Sequence, residues 1–189
     1  RWDYSGDVRN IVVRRATLWA DVAHPVLIGT HGNPERPEII EDLRFEDIDI
    51  LNHDEPQIEY QGCFAINVSD ENLVRNVRVE DVRVDDFERG QLVNLRVTFN
   101  RTYARAPGRG IENVVFRDLA YTGRNAELSI ISGYDESRVV RDVVFENLCL
   151  NGRLIHEGMR LEPSDGKLRD LARFHVGDHV HGVRFIKAG

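Results

Sequence analysis

A nine-residue segment recurs along this chain of 189 residues, and it constrains the fold more than any other feature of the sequence. The copies are NIVVRRATL from Asn10, DLRFEDIDI from Asp42, NVRVEDVRV from Asn76, NVVFRDLAY from Asn113 and DVVFENLCL from Asp142, with a shortened sixth copy, GVRFI, from Gly182. Successive copies start 29 to 40 residues apart. Such variable spacing favours a stacked repeat whose loops differ from turn to turn over the regular blades of a propeller.

Within each copy, apolar and polar residues alternate, as at Leu43 and Phe45, and this alternation indicates a strand with one buried face. The alternation slips before Ile48, where two polar residues stand side by side. We therefore expect each copy to turn a corner at that point. The Asn or Asp that opens five of the copies also suits a turn, because its short side chain can hydrogen-bond nearby backbone groups.

If equivalent strands of successive copies pair in parallel, their apolar side chains form two inward-pointing columns. The first column is Val13, Phe45, Val79, Phe116, Phe145 and Phe185, and the second is Leu18, Ile50, Val84, Tyr121 and Leu150. The sequence thus predicts an all-β protein, a parallel β-helix (solenoid) of about six coils.

The competing architecture, strands alternating with helices, requires helical spacing between the copies, where mostly Gly, Pro and charged residues occur. Only SDGKLRDLARF, from Ser164, has a helical pattern, with Leu168, Leu171 and Ala172 on one face. We expect one β-helix domain over residues 1–189, with residues 156–189 as a C-terminal cap. Because the chain begins without Met or a signal-like segment, we expect it to be the C-terminal portion of a longer β-helix.

Composition excludes several classes of protein. The 25 Lys and Arg and 32 Asp and Glu are interspersed and leave a net charge of -7, which predicts no nucleic-acid face. No apolar run approaches the roughly 20 residues of a membrane-spanning helix, so we expect no membrane partner. Cys63 and Cys149 fit no metal or disulfide pattern and are predicted to be free thiols.

The stretch YSGDVRNIVVRRATLWADVAHPVLIGTHG resembles the right-handed β-helical glycoside hydrolases, which are the polygalacturonases of family 28, the dextranases of family 49 and their bacterial relatives. AHPVLIGT is similar to the polygalacturonase stretch Gly-His-Gly-x-Ser-x-Gly-Ser, which His24, Ile28, Gly29 and Thr30 match, while Ala23 and Pro25 replace two glycines. The resemblance extends over residues 4–155. It implies a right-handed coil, hydrolysis of a polysaccharide, no cofactor, and a secreted or periplasmic location.

The chain differs from this family in the motifs that carry catalysis and substrate recognition. The paired Asp residues of the family precede the Trp-bearing strand, where this chain reads Arg1-Trp2-Asp3, and the Arg-Ile-Lys motif that implies uronate recognition is replaced by FAINVSDE. Glycoside hydrolysis normally needs two carboxyl groups, about 6.5 to 9.5 Å apart for inversion. The sequence therefore does not specify pectin as the substrate.

Candidate catalytic residues follow the strands of two successive copies. Asp21 and Asp54 are the candidate carboxylates, and His24 and His53 are candidates to assist them. Stacked coils would bring these pairs near one another. The alternative is that Asp21 caps a turn, that His24 bonds backbone, and that His53, Asp54 and Glu55 form an ordinary solvated loop.

Candidate substrate-binding residues lie along the same edge. His31 follows in a Gly-rich loop, and Asp70, with Glu71, extends the edge into the third coil. Tyr60 and Trp19 offer faces on which a sugar can stack, although Trp19 equally suits a role in covering a strand.

Three further histidines, His175, His179 and His181, would share one face of an extended strand. A zinc site and a polar strand near the C-terminus are the two interpretations, and we predict no metal because no family motif accompanies the cluster.

Two functions follow from these observations. The first is a polysaccharide hydrolase. The second is a non-catalytic carbohydrate-binding or structural β-helix segment, which the missing Asp pair favours. In either case an open strand edge at one end predicts self-association.

Overall fold

The computed structural model describes residues 6–57 and 60–189. Tyr4 and Ser5, which open the stretch that carries the resemblance, lie outside the described residues. Strands dominate the fold, and they are β1 (Val8–Ala20), β2 (Val26–Ile28), β3 (Ile39–His53), β4 (Phe64–Val68), β5 (Leu73–Val84), β6 (Gly90–Gln91), β7 (Val93–Val97), β8 (Gly110–Tyr121), β9 (Ala126–Glu127), β10 (Ser129–Ser132), β11 (Val140–Glu146), β12 (Leu148–Leu150), β13 (Arg153–Ile155), β14 (Phe174–Val176) and β15 (Val180–Ile186).

Two parallel sheets organise these strands. The first has the order β1-β3-β5-β8-β11-β15, with β12 also paired to β8, and the second has the order β14-β10-β7-β4-β2. A small third sheet joins β6 to β9, and the antiparallel pair β12-β13 is an exception to the parallel pattern. The chain alternates between the sheets and adds the next parallel strand at each return. The prediction of an all-β protein with parallel strand pairing is thus confirmed.

The pairing register confirms both predicted columns of apolar side chains. Val13 pairs with Phe45, and the column continues through Val79, Phe116, Phe145 and Phe185 without a shift. The second column runs from Leu18 through Ile50, Val84 and Tyr121 to Leu150. The central members of both columns are buried, whereas Val13, Leu18 and Leu150 are half-buried and pack against the core. The rings of Phe116, Phe145 and Phe185 stack with centroids 5.0 Å apart.

At the predicted corners, within or between strands of the first sheet, the backbone has a left-handed conformation. The residue that opens each copy has a φ between 52° and 58° in Asn10, Asp42, Asn76, Asn113 and Asp142. A second set, at the predicted slip, has a φ between 53° and 57° in Arg15, Asp47, Asp81, Asp118 and Asn147. Asn and Asp tolerate this conformation better than most residues, and Gly182 provides it in the sixth copy with a φ of 68°.

The C-terminal region departs from the predicted helix. Of the segment from Ser164, only Leu168–Leu171 form an α-helix, α1, and Pro163–Asp165 form a 3-10 turn. Leu168, Leu171 and the buried Ala172 nevertheless pack against the core, as their common face predicts. Within residues 156–189, β14 continues the second sheet and β15 continues the first.

Two further expectations are tested by the described residues. Cys63 is buried, Cys149 is half-buried, and both are free thiols, as predicted. Within residues 6–57 and 60–189, no helix has the length and apolar character needed to cross a membrane.

Candidate functional site

A cavity of about 300 Å³ lies among the loops next to β2 and β3, and we call it the first cavity. Its lining residues are His24, Leu27, Thr30, His31, Glu55, Gln57, Tyr60 and Tyr103. Three of the residues predicted for the site, His24, His31 and Tyr60, therefore come together. They do so because the second sheet places the loops around β2, β4 and β7 side by side.

A second cavity, of about 290 Å³, begins at the same tyrosine. Its lining residues are Tyr60, Arg96, Val97, Thr98, Phe99, Asn100, Ser132, Gly133 and Tyr134. The amide of Asn100 donates to the Tyr60 hydroxyl at 3.1 Å and so helps to hold the ring between the two cavities. The two cavities share Tyr60, and we refer to them together as the groove.

His24 stands at the start of β2 and is half-buried in the wall of the first cavity. Its Nε2 atom is buried and has no hydrogen-bond partner among the described residues. Burial lowers the pKa of His24 below its ordinary value, and the nearby Glu55 carboxylate acts in the opposite direction. The imidazole therefore favours its neutral form, in which one ring nitrogen donates and the other accepts.

Glu55 is the carboxylate that the structure places in the first cavity. The residue is only 5% exposed, and its Oε1 atom accepts the backbone N–H of Gln57 at 2.8 Å. Its backbone is held on both sides, since its N–H donates to the carbonyl of Arg89 and its carbonyl accepts from Gln61. A buried carboxylate on a fixed backbone has a defined position relative to anything that enters the cavity.

His53 is completely buried beneath the loop that carries His24. The N–H of Gly62 donates to Nε2 at 3.2 Å, so the proton is on Nδ1, which donates to the carbonyl of Ala23 at 2.9 Å. Burial lowers the pKa of His53, which agrees with this neutral tautomer. Gly90 lies against the ring, where an added Cβ would stand 2.3 Å from Nε2. With both nitrogens bonded to backbone, His53 holds the two loops together, and its catalytic role stays a prediction.

The two predicted catalytic carboxylates lie outside the described lining of the groove. The Asp54 carboxylate pairs with Arg89, whose Nε and Nη2 atoms both donate to Oδ1 at 3.0 and 2.9 Å. Asp21 is exposed and accepts a hydrogen bond from the indole N–H of Trp19. The backbones of the two loops do meet, since the N–H of Ala23 donates to the carbonyl of Asp54 at 3.1 Å. The predicted stacking of the loops is present, while the side chains have other partners.

Asp70 and Trp19, both predicted to bind substrate, have different surroundings. Asp70 is 1% exposed, and its carboxylate accepts backbone N–H groups from Arg105 at 2.7 Å, Ala106 at 3.4 Å and Gly32 at 3.3 Å. It thereby ties together the loops that carry His31 and Tyr103. Trp19 is 64% exposed on β1 and is not among the described lining residues.

Asn72 supports the same loops from below. Its amide donates to the carbonyls of Gly29 at 3.0 Å and His31 at 2.9 Å. Gly32 lies so close to this amide that an added Cβ would stand 2.3 Å from its Oδ1 atom. The edge of the first cavity is therefore held by buried polar side chains that bond to backbone.

The three C-terminal histidines do not share the face of one strand as predicted. His175 lies in β14 of the second sheet, and His181 lies in β15 of the first sheet, because the chain bends at His179, whose φ is 57°. Among the residues that the structure describes, no group of three or more His, Cys, Asp or Glu side chains is arranged to hold a metal ion.

Sequence reasoning missed several lining residues of the groove, including Gln57, Tyr103, Phe99 and Tyr134. Tyr103 is 61% exposed and lies in the long loop after β7, and Tyr134 follows β10. The available signal was positional for Phe99, Tyr103 and Tyr134, because each of them comes shortly after a strand of the second sheet, whereas Gln57 follows β3 of the first sheet. The repeated segments that dominate the sequence form the first sheet and do not reveal this edge.

Comparisons with protein-family models, with curated proteins and with solved structures gave no match to this chain.

Proposed function

We propose that the chain is a right-handed parallel β-helix of about six coils that binds a polysaccharide and hydrolyses its glycosidic bonds. The return of the chain to each sheet, one parallel strand further on, supports a coiled path. The unbroken register of the two columns supports stacking of equivalent strands. A right-handed coil is supported by the strong preference for that hand in parallel strand-crossover-strand connections.

The observation that carries the binding proposal is the groove with Tyr60 at its centre. Two adjoining cavities of about 300 Å³ and 290 Å³ that share Tyr60 suit a ligand made of repeating units. Tyr60, Tyr103 and Tyr134 provide flat faces with polar tips, which pack on the apolar face of a sugar ring and bond its hydroxyls. The polar groups of His24 and Asn100 add hydrogen-bonding capacity along the same path.

For hydrolysis we propose Asp21 and Asp54 as the acid and base, as the sequence predicts, with His24 and His53 assisting. The reaction requires one carboxylic acid to protonate the leaving oxygen and one carboxylate to activate water. The adjoining backbones of the two loops support this assignment.

A specific observation favours the second candidate, a carbohydrate-binding β-helix without catalysis. Among its described lining residues the groove has one carboxylate, that of Glu55, whereas hydrolysis normally uses two. The Asp54 carboxylate is paired with Arg89, which occupies one of its oxygens.

Reducing-sugar release from dextran, polygalacturonate, fructan, xylan and arabinan tests the reaction, with Asp21→Asn and Asp54→Asn beside the unaltered chain. Loss of an observed activity in either variant supports hydrolysis through these residues. Binding is tested on the same glycans by affinity electrophoresis with Tyr60→Ala, and with Leu128→Ala as the control at an exposed apolar residue outside the described lining of the groove. Binding that Tyr60→Ala abolishes, without release of sugar, supports the second candidate. Absence of binding and release for every glycan contradicts both.

We also propose that the chain self-associates through the end of the first sheet formed by β1. The inward residues Val13, Ala16 and Leu18 are only half-buried, whereas Phe45, Ile48 and Ile50, their partners in β3, are buried. Within the described residues, β1 pairs with β3 alone. A strand edge of this kind, together with a partly covered apolar end, promotes pairing between chains. Light scattering across a concentration series should show a growing dimer fraction, and a strict monomer at every concentration would contradict the proposal.

A further inference from the structure

The first cavity differs from the second in the charge of its wall. Its described lining contains the Glu55 carboxylate and no Lys or Arg, whereas Arg96 lines the second cavity. Glu55 is 5% exposed, so solvent screens its charge poorly. A ligand unit in the first cavity therefore meets the Glu55 carboxylate with no Lys or Arg among the described lining residues.

Glu55 also retains hydrogen-bonding capacity. Within the described part of the chain, its carboxylate accepts one hydrogen bond, from the N–H of Gln57 to Oε1. An ionised carboxylate has about four acceptor sites on two oxygens, so several remain for a ligand. Sugar hydroxyls are donors that suit these sites, whereas the carboxylate of a uronate would be a second acceptor of the same charge.

Two other polar groups in the wall of the first cavity lack a partner in the described structure. These are Nε2 of His24 and the hydroxyl of Thr30, both buried. A buried polar atom without a hydrogen bond costs free energy, so a modest shift of either side chain toward a bound hydroxyl is favourable. The neutral imidazole and the hydroxyl can each donate or accept.

We infer that the first cavity is a subsite for an uncharged sugar residue, with Glu55 accepting its hydroxyl protons and His24 and Thr30 bonding its other hydroxyls. The inference rests on the proposed polysaccharide binding and narrows its substrate class. Uronate polymers are disfavoured at this subsite by repulsion from Glu55. The second cavity, with Arg96 in its wall, carries no such restriction.

Calorimetric titration with isomaltohexaose, xylohexaose and hexagalacturonate at pH 8 tests the inference. We expect at least one neutral hexasaccharide to bind about tenfold or more tightly than hexagalacturonate, since a single like-charge contact at low screening accounts for a factor of this order. Glu55→Gln should reduce the difference in affinity between the two classes of ligand, because the neutral hexasaccharide should bind more weakly and hexagalacturonate more tightly. Glu35→Gln removes one charge from the exposed loop after β2 and should leave both affinities unchanged.

Gln57→Lys provides a second variant at an exposed position in case Glu55→Gln does not fold. It places a cation beside Glu55 and should strengthen hexagalacturonate binding several-fold. Hexagalacturonate binding as tightly as the best neutral ligand, with no response to Gln57→Lys, overturns the uncharged subsite but leaves polysaccharide binding intact. Absence of binding for every neutral and uronate ligand overturns the proposed function as well.

Discussion

The corners of the first sheet and the loops around the groove use the same polar residue types in different ways. At the corners, side chains bond to their equivalents in the next repeat, as Asn76 does to Asp42 at 2.9 Å and Asn113 does to Asn76 at 2.8 Å. Around the groove, Asp70 and Asn72 bond instead to the backbone of other loops. Repetition therefore marks side chains that support stacking, and the residues next to the groove interrupt the repetition.

The largest expected loss of stability comes from a substitution in the repeated core of the first sheet. Phe145 is fully buried between the stacked rings of Phe116 and Phe185 and also contacts Phe174 at a centroid distance of 4.7 Å. Phe145→Ala should lower the free energy of unfolding by about 3 to 5 kcal/mol, because it leaves a cavity that its neighbours cannot fill. Denaturant titration measures this loss. Phe99→Ala, at a half-buried residue that lines the groove, should lower the free energy of unfolding by less. An equal loss in the two variants would contradict the distinction between the repeated core and the groove.

The second largest loss of stability is expected at Asp70, whose contacts beside the groove are not repeated along the first sheet. Asp70→Ala leaves three backbone N–H groups, those of Gly32, Arg105 and Ala106, without their acceptor, which should cost about 1 to 3 kcal/mol of unfolding free energy. Hydrogen exchange at these amides should accelerate more than at β5. Asp21→Ala, at an exposed carboxylate, serves as the control and should change stability by less than about 0.5 kcal/mol. Unchanged exchange in Asp70→Ala would show that other contacts hold the loops.

The dependence of stability on pH tests the two buried or half-buried histidines beside the groove, His53 and His24. Burial, the largest influence, lowers the pKa of His53 and His24 below the ordinary 6.5, although the Ala23 carbonyl at His53 and the Glu55 carboxylate at both residues act against it. The unfolded chain then binds more protons than the folded one below about pH 6.5. Stability should be fully present above that pH and should fall as the pH drops toward the lowered folded values.

Melting temperatures from pH 7.5 to pH 5 measure this slope. His53→Gln retains a donor and an acceptor but does not titrate, so it should flatten the slope. His181→Gln, at an exposed ring, is the control for exchanging an imidazole for an amide. The same slope in all three proteins would assign the pH dependence to other groups. The pKa values of Asp49 and Asp86 are lowered from 3.8, so the stability that these carboxylates contribute is lost only below the pH range of this experiment.

The smallest effect concerns the corner backbone. Asn76 has a φ of 56°, which disfavours Ala but not Gly. Asn76→Ala and Asn76→Gly both remove the side-chain bonds to Asp42 and Asn113, so their difference isolates the backbone conformation. Asn76→Ala should be the less stable variant by about 1 kcal/mol in denaturant titration. Equal stability would mean that the corner relaxes out of the left-handed region.

Much of the first sheet could be predicted because the sequence pattern that specifies it is local and recurs in every copy. Alternation around Phe45 identified a buried face, and comparison of copies aligned Phe45 with Val79 and Phe116, as the register confirms. The groove was only partly predicted. His24, His31 and Tyr60 reach the first cavity, while Glu55 was noted only as a member of a charged loop and Tyr103 was missed.

The sequence by itself determined the parallel strand pairing, the inward columns and the positions of the corners, because stacking requires the same residue type at the same place in every copy. Only the tertiary structure decided which polar side chains face the groove and which bond to backbone. His53 and Asp70 are of residue types that catalytic sites use, yet each is bonded to backbone of another loop, His53 to the Ala23 carbonyl and Asp70 to the Arg105 N–H. Contacts between loops of different length and sequence have no periodic signal, so their geometry emerges only when the strands are stacked.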